Sequence, residues 1–280
     1  MKSISQILEI AKSVVRLESE IVEELIGKLN DDFAKAVELI LSSNGRVIVA
    51  GIGKSANIAS KIVATFNSTG QPAVFLHAAD AIHGDLGNIQ KNDVVICISK
   101  SGNTSEIKYL LPLIKNMGNK IIAICGNKDS YLANQADCVL DASVKKEACP
   151  HNLAPTSSTT AQLVLGDALA ICLLESKNFT DKDFARFHPG GVLGKKLYLK
   201  VSDIVKNNEV PSVQIQDKVQ KVIIEISKKR LGATAVLEGE KILGIITDGD
   251  LRRMLEKGVE IEKVLAKDIM NNGPKSISSS

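Results

Sequence analysis

Three short segments concentrate the side chains able to do chemistry. The first is GIGKSA, residues 51–56, where Gly51 and Gly53 flank the approach to Lys54 and Ser55. Glycines let a backbone come close to a ligand, and a helix opening after Gly53 offers unpaired N–H groups to an anion. The second is SKSGNTSE, residues 99–106, which sets the hydroxyls of Ser99, Ser101, Thr104 and Ser105 around Gly102, with Glu106 behind them. One helix cap uses one hydroxyl. Four hydroxyls suit a phosphate, whose several oxygens each accept hydrogen bonds. A plain capping box, Ser/Thr-x-x-Glu, is the competing account. The third is KKEACPHNLAPTSSTT, residues 145–160. Glu147 precedes a proline-bounded loop, and the run from Thr156 and Ser157 to Thr160 opens a helix, as a cap or as a second polar wall facing a ligand.

Two loop histidines stand beside glycine and proline, His83 in AIHGDLG and His188 in HPGGVLG. An imidazole next to a phosphate site titrates near neutrality and can move protons. A zinc site built from His83, His188 and Cys149 has no supporting ligand spacing, and no metal is expected. A Walker loop is ruled out because Ile48 stands where its first glycine is needed. Gly51, Gly53 and Ala56, with Asp80 further on, meet a dinucleotide fingerprint formally. An NAD-dependent oxidoreductase therefore stays open as an alternative that a direct binding measurement would separate.

These loops need a frame. Apolar runs at 46–53, 73–78, 93–99, 120–126 and 138–143 read as five buried strands, and helical spacing fills 55–70 and 105–118 between them. Such alternation predicts an α/β fold, a five-stranded parallel doubly wound sheet flanked by helices, with ligands at the carboxyl ends of its strands. Residues 3–43 carry a helical pattern, broken at Asn30-Asp31-Asp32, and a long helix is expected over 157–176. From Val201 the texture changes to strand–helix–strand–strand–helix, a small α+β unit. Its end, DIMNNGPKSISSS, finds nothing further to pack on and is expected to fray.

The totals agree with two domains: 280 residues, 44% hydrophobic, 3% aromatic and no Trp. A net charge of +3, with basic residues only in short clusters such as Lys195-Lys196 and Arg252-Arg253, argues against a nucleic-acid partner. Five cysteines without a CxxC pair read as reduced thiols. No signal peptide begins the chain, and Asp167 interrupts the best apolar stretch, so no membrane partner and a cytoplasmic location are expected.

Together GIGKS, HGDLG, ISKSGNTSEI, KEACPHNLAPTSSTTAQLVLGDALA and HPGGVLGKKL resemble the arabinose 5-phosphate isomerase family, in which a sugar isomerase (SIS) domain precedes a pair of CBS domains. The resemblance implies interconversion of D-ribulose 5-phosphate and D-arabinose 5-phosphate, feeding the octulosonate (Kdo) sugar of Gram-negative lipopolysaccharide. It implies catalytic roles for Lys54, Glu106, Glu147 and His188, and phosphate contacts from Ser55, Ser99, Ser101 and Thr104. Gly53, His83, Thr156 and Ser157 join the expected substrate contacts through their places in the loops above. It also implies a homotetramer in which His188 reaches a neighbouring subunit's site. GIITDGD, residues 244–250, fits the CBS ribose-phosphate signature through Thr247 and Asp250, giving a nucleotide-type ligand as a further expectation. The expected domains are SIS over 1–196, a first CBS unit over 197–265, and the start of a second over 266–280.

An aldose–ketose isomerisation moves one proton between carbons and another between oxygens, so neither a redox cofactor nor a metal is required. His188, Glu106 or Glu147 would take the carbon-bound proton, with His188 the first choice because its ordinary pKa is near working pH. Lys54 would neutralise charge on an oxygen or on the phosphate. A non-catalytic sugar-phosphate sensor, or an isomerase of another sugar phosphate, is the alternative.

Overall fold

The protein is described from a computed structural model covering residues 2–191, 194, 195, 197, 200–205 and 209–277. Val192, Leu193 and Lys196 of HPGGVLGKKL, the expected boundary at 196, and residues 278–280 lie outside the described residues. The chain divides into two compact units, Met1–Gly194 and Lys195–Ser280.

In the first unit, α1 (Ile4–Ile26) starts at a reciprocal capping box between Ser3 and Gln6. Helix α2 (Asp31–Ser42) starts where the Asn30 side chain accepts the Asp32 N–H. The chain then alternates through β1 (Val47–Gly51), α3 (Lys54–Ser68), β2 (Ala73–His77), α4 (Ala78–Ala81), β3 (Val94–Ser99), α5 (Ser105–Asn116), β4 (Lys120–Cys125), α6 (Tyr131–Gln135) and β5 (Cys138–Asp141). Helices α7 (Ser157–Ser176) and α8 (Asp181–Phe187) complete the unit.

All five strands are parallel, in the order β2-β1-β3-β4-β5. Both faces are covered, which is why the strands read as unbroken apolar runs. Val47, Val49, Ile96 and Ile98 pack on one side with Ile62, Leu165 and Leu169. Ile48, Ala50, Val95 and Cys97 pack on the other with Ile107, Leu110 and Ile114. The strand order reverses between β1 and β3, so their carboxyl ends flank a ligand crevice. GIGKSA follows β1 and SKSGNTSE follows β3, so the fold brings these two loops to that crevice.

Helix α7 departs from one expectation. Despite Asp167, it is long and apolar enough to cross a membrane by length and composition. Its apolar side chains are spent inside the domain: Ala161, Leu165, Leu169 and Leu173 are buried. Asp167 is held by Lys61 of α3, 2.5 Å away. Gly166 lets the two helices approach, since a Cβ there would run into Ile62.

The second unit contains α9 (Val201–Val205), β6 (Ser212–Gln214), α10 (Val219–Lys229), β7 (Ala233–Glu238), β8 (Lys241–Thr247), α11 (Asp248–Glu256), α12 (Ala266–Ile269) and β9 (Asn271–Asn272). Its sheet runs β6-β7-β8-β9 over a core of Val213, Val222, Ile226, Val236 and Ile246. The expectation of a frayed end from Asp268 is corrected as far as Asn272. Ala266 is fully buried, its N–H donates to the Asp217 carbonyl at 2.8 Å, and β9 pairs antiparallel with β8. The segment completes an open sheet edge that the sequence pattern, with only two strand residues, did not advertise.

Candidate functional site

A cavity of about 270 Å³ opens at the carboxyl ends of β1 and β3. One wall is Ile52, Lys54 and Ser55, the second Ser99, Lys100, Ser101 and Thr104, and the third Pro155, Ser158 and Thr159. Three helices start around it. Gly53 caps α3 with φ +60° and ψ −129°, a conformation only glycine adopts without strain, and brings no side-chain cap. Thr104 caps α5, yet its hydroxyl makes no cap bond. It lies 2.7 Å from Ser99 Oγ instead. The capping-box account of SKSGNTSE therefore fails. The Thr104 hydroxyl turns to Ser99 instead of capping α5, so neither α3 nor α5 has an N-cap side chain bonded to its first N–H groups, which suits an anion site.

The turn is held by Gly102, whose N–H donates to Ser99 Oγ at 3.1 Å. Gly102 has φ +63°, and a Cβ on it would collide with Ser130 Oγ. Ser101 Oγ accepts the Asn103 N–H at 3.1 Å.

Helix α7 has a different cap. The Glu147 side chain is fully buried, and its Oε2 accepts the N–H groups of Thr156 at 2.9 Å and Ser158 at 3.1 Å. Its Oε1 accepts from Ser158 Oγ at 2.6 Å and pairs with Lys100 Nζ at 2.5 Å. Burial would raise the pKa of this carboxyl. The Lys100 ammonium, the Ser158 hydroxyl and the two N–H groups outweigh burial and bring it down to about 2. Glu147 is thus a saturated carboxylate that organises the loop.

Thr156 and Ser157 do not line this cavity, contrary to expectation. Thr156 Oγ1 accepts the Ala148 N–H at 2.9 Å, and Ser157 is buried with its hydroxyl toward Glu18 of α1 at 3.4 Å. The phase of α7 turns the next pair, Ser158 and Thr159, into the cavity. The hydroxyl run signalled the wall, and the helix phase decided which members form it. Lys100, which the sequence analysis did not single out, also lines the cavity, from within the 99–106 loop whose signal lies in its hydroxyls.

Glu106 sits in the first turn of α5. Its own backbone N–H and the Ser105 hydroxyl lower its pKa, with a smaller pull from His77 at the end of β2. His83 lies on the exposed turn after α4, outside the cavity walls. His188 is elsewhere: its Nε2 is 3.0 Å from Ser68 Oγ, its Nδ1 2.9 Å from the Phe184 carbonyl, and its ring stacks on Phe184. Among the described residues no three His, Cys, Asp or Glu side chains gather as a metal site would need.

In the second unit Thr247 and Asp250 form a capping box for α11, with Thr247 Oγ1 donating to Asp250 Oδ2 at 2.6 Å. Burial opposes ionisation of Asp250, but Thr247, Asn271 and Arg253 hold its pKa well below the ordinary carboxylate range. Asp250, Arg253 and Asn271 border a cavity of about 310 Å³.

Residues 40–172 match the SIS domain and residues 201–257 the CBS domain. The chain is 53% identical over 96% of its length to arabinose 5-phosphate isomerase KdsD of Francisella tularensis, covering 83% of that protein. It is 50% identical to KdsD of Pseudomonas aeruginosa, covering 95% of this chain and 82% of that one. A solved Escherichia coli protein in complex with arabinose 5-phosphate superposes with TM-score 0.65 at 42% identity, over 67% of this chain and all of the other. The chain belongs to the arabinose 5-phosphate isomerase family.

Proposed function

We propose that this chain interconverts D-ribulose 5-phosphate and D-arabinose 5-phosphate. The observation that carries the reading is the inward-turned hydroxyl loop of Ser99, Ser101 and Thr104, facing Lys54 and Ser55 beneath helix starts that lack side-chain caps. A phosphate monoester fits that chemistry: hydroxyls and N–H groups donate to its oxygens, and an ammonium offsets its charge. The identity to relatives named arabinose 5-phosphate isomerase, and a solved neighbour holding arabinose 5-phosphate, support the choice of sugar.

The reading puts the sugar's carbonyl end beside Glu106, which follows the hydroxyl turn in the first turn of α5 and is not itself among the residues lining the cavity. Lys54 steadies negative charge on the phosphate or on the enediolate oxygen. The carbon-bound proton goes to Glu106 or to His188, whose imidazole comes from a neighbouring copy in a homotetramer. Glu147 is assigned to holding the loop, because a carboxylate already accepting this many bonds is a poor proton acceptor. The reading extends to a cytoplasmic enzyme supplying octulosonate for lipopolysaccharide, with a nucleotide-type ligand on the Thr247–Asp250 side of the CBS unit. Incubation with D-ribulose 5-phosphate without added metal, followed by NMR, tests it. Arabinose 5-phosphate resonances are expected, and unchanged substrate at high protein concentration would overturn it.

A further inference from the structure

Lys100 sits between two residues of the phosphate-binding turn, Ser99 and Ser101, and lines the same cavity. Its backbone is fixed, since its carbonyl accepts the Gly126 N–H at 3.0 Å. Its side chain is 44% exposed, and the ammonium rests on the fully buried Glu147 carboxylate. A lysine stem of four carbons can swing between partners without moving the turn.

Glu147 does not depend on that one partner. Ser158 Oγ, the Ser158 N–H and the Thr156 N–H and hydroxyl all still donate to it if the ammonium leaves. The charges in the cavity also favour a move. While Lys100 is paired with Glu147, Lys54 is left as the other ammonium on the cavity walls to meet a phosphate carrying up to two negative charges. An ammonium a short swing away, already beside the hydroxyl turn, supplies the second positive charge at no cost in backbone order.

Building on the phosphate-site reading above, we propose that Lys100 is a phosphate ligand parked on Glu147: when a phosphate dianion enters the cavity, the ammonium leaves the carboxylate for the phosphate oxygens. Glu147 then competes with the ligand for Lys100 while holding the α7 start in place. Lys100 is a binding and positioning residue for the reaction, and Glu147 sets how tightly phosphate must bind to claim it.

Calorimetric titration of the full chain with inorganic phosphate tests this without relying on turnover. Lys100→Met is expected to weaken binding by about 10- to 100-fold, the usual loss for one charged hydrogen bond. Lys100→Arg should stay within about threefold of wild type, because the charge is kept. Glu147→Gln should tighten binding by about 3- to 10-fold, since the competing state of the ammonium is removed. A purely structural role for Glu147 predicts the opposite sign there. Equal affinities for wild type and Lys100→Met, or weaker binding by a folded Glu147→Gln, overturn the assignment while leaving the isomerase reading intact. If Glu147→Gln does not fold, the Met and Arg pair decides alone. Affinities in the expected order with no turnover of ribulose 5-phosphate would remove the isomerase reading and keep the assignment. No phosphate affinity in wild type removes both.

Discussion

His188 Nε2 lies 3.0 Å from Ser68 Oγ, and Ser68 ends the helix that Lys54 begins. The α3 helix is fifteen residues long from its cavity end to its far end, which is about 20 Å at 1.5 Å per residue. Within one chain the imidazole is therefore out of reach of a sugar held beside Lys54, and a catalytic role for it would need a second copy.

This arrangement predicts complementation between two inactive variants. At substrate well below the raised KM of Lys54→Ala, that variant and His188→Ala should each be nearly inactive, the latter by about 100- to 10,000-fold. Mixed in equal amounts and allowed to exchange subunits, they should recover about a quarter of wild-type turnover, because that share of sites pairs an intact Lys54 with an intact His188. Activity staying at the level of the separate variants after proven exchange would mean the site takes nothing from a neighbour.

Lys54 should show its role in how the kinetic constants divide. If it meets mainly the phosphate, Lys54→Ala raises KM far more than it lowers kcat. A fall confined to kcat, at unchanged KM, would move Lys54 from the phosphate to the enediolate. Steady-state kinetics with ribulose 5-phosphate reads the difference.

The low pKa of Glu147 carries a stability consequence of known sign. Its folded value is about 2, below the ordinary 4.5. The stabilisation is fully present above the unfolded value and is lost as pH falls through the folded one. It is worth on the order of 1–3 kcal/mol at neutral pH, because the half-exposed Lys100 ammonium is partly screened by solvent. Thermal melts of wild type and Glu147→Gln from pH 7 to pH 2 should therefore converge, with most of the change below pH 5. A difference in Tm that ignores pH would show that the carboxylate is not held ionised in this way.

Gly102→Ala should damage the site out of proportion to its size. The residue has φ +63°, and the added methyl would strike Ser130 Oγ. About 1–3 kcal/mol of stability should be lost, read by urea denaturation. Phosphate affinity should fall as Ser99 and Thr104 lose their alignment. Wild-type phosphate affinity in a folded Gly102→Ala chain would show that the turn does not set the site.

The sheet was legible in the sequence because β1 and β3 are buried along their whole length, and full burial demands unbroken apolar runs bounded by turn residues. The two loops of the crevice were legible from their glycines and hydroxyls after apolar strands, whereas the strand order that brings them together was not. The pairing of Lys100 with Glu147 was not legible: the residues belong to separate loops that meet only when the chain folds and α7 docks against α3. The choice of Ser158 and Thr159 over Thr156 and Ser157 depends on a helix phase that a run of five hydroxyls cannot reveal. Short elements such as α6 and α8 carry too few residues for a periodic signal. The packed end of the second unit depends on two strand residues, Asn271 and Asn272, whose types disfavour strands and whose pairing with β8 overrides that preference.

A crystal structure of this chain with arabinose 5-phosphate would show where the ester's phosphate binds. The ester's phosphate is expected in the turn after β3, within hydrogen-bond reach of Ser99, Ser101 and Thr104. The sugar should run from there toward Glu106 and an imidazole contributed by another copy. A sugar phosphate bound at full occupancy elsewhere, with that turn holding only solvent, would contradict the account.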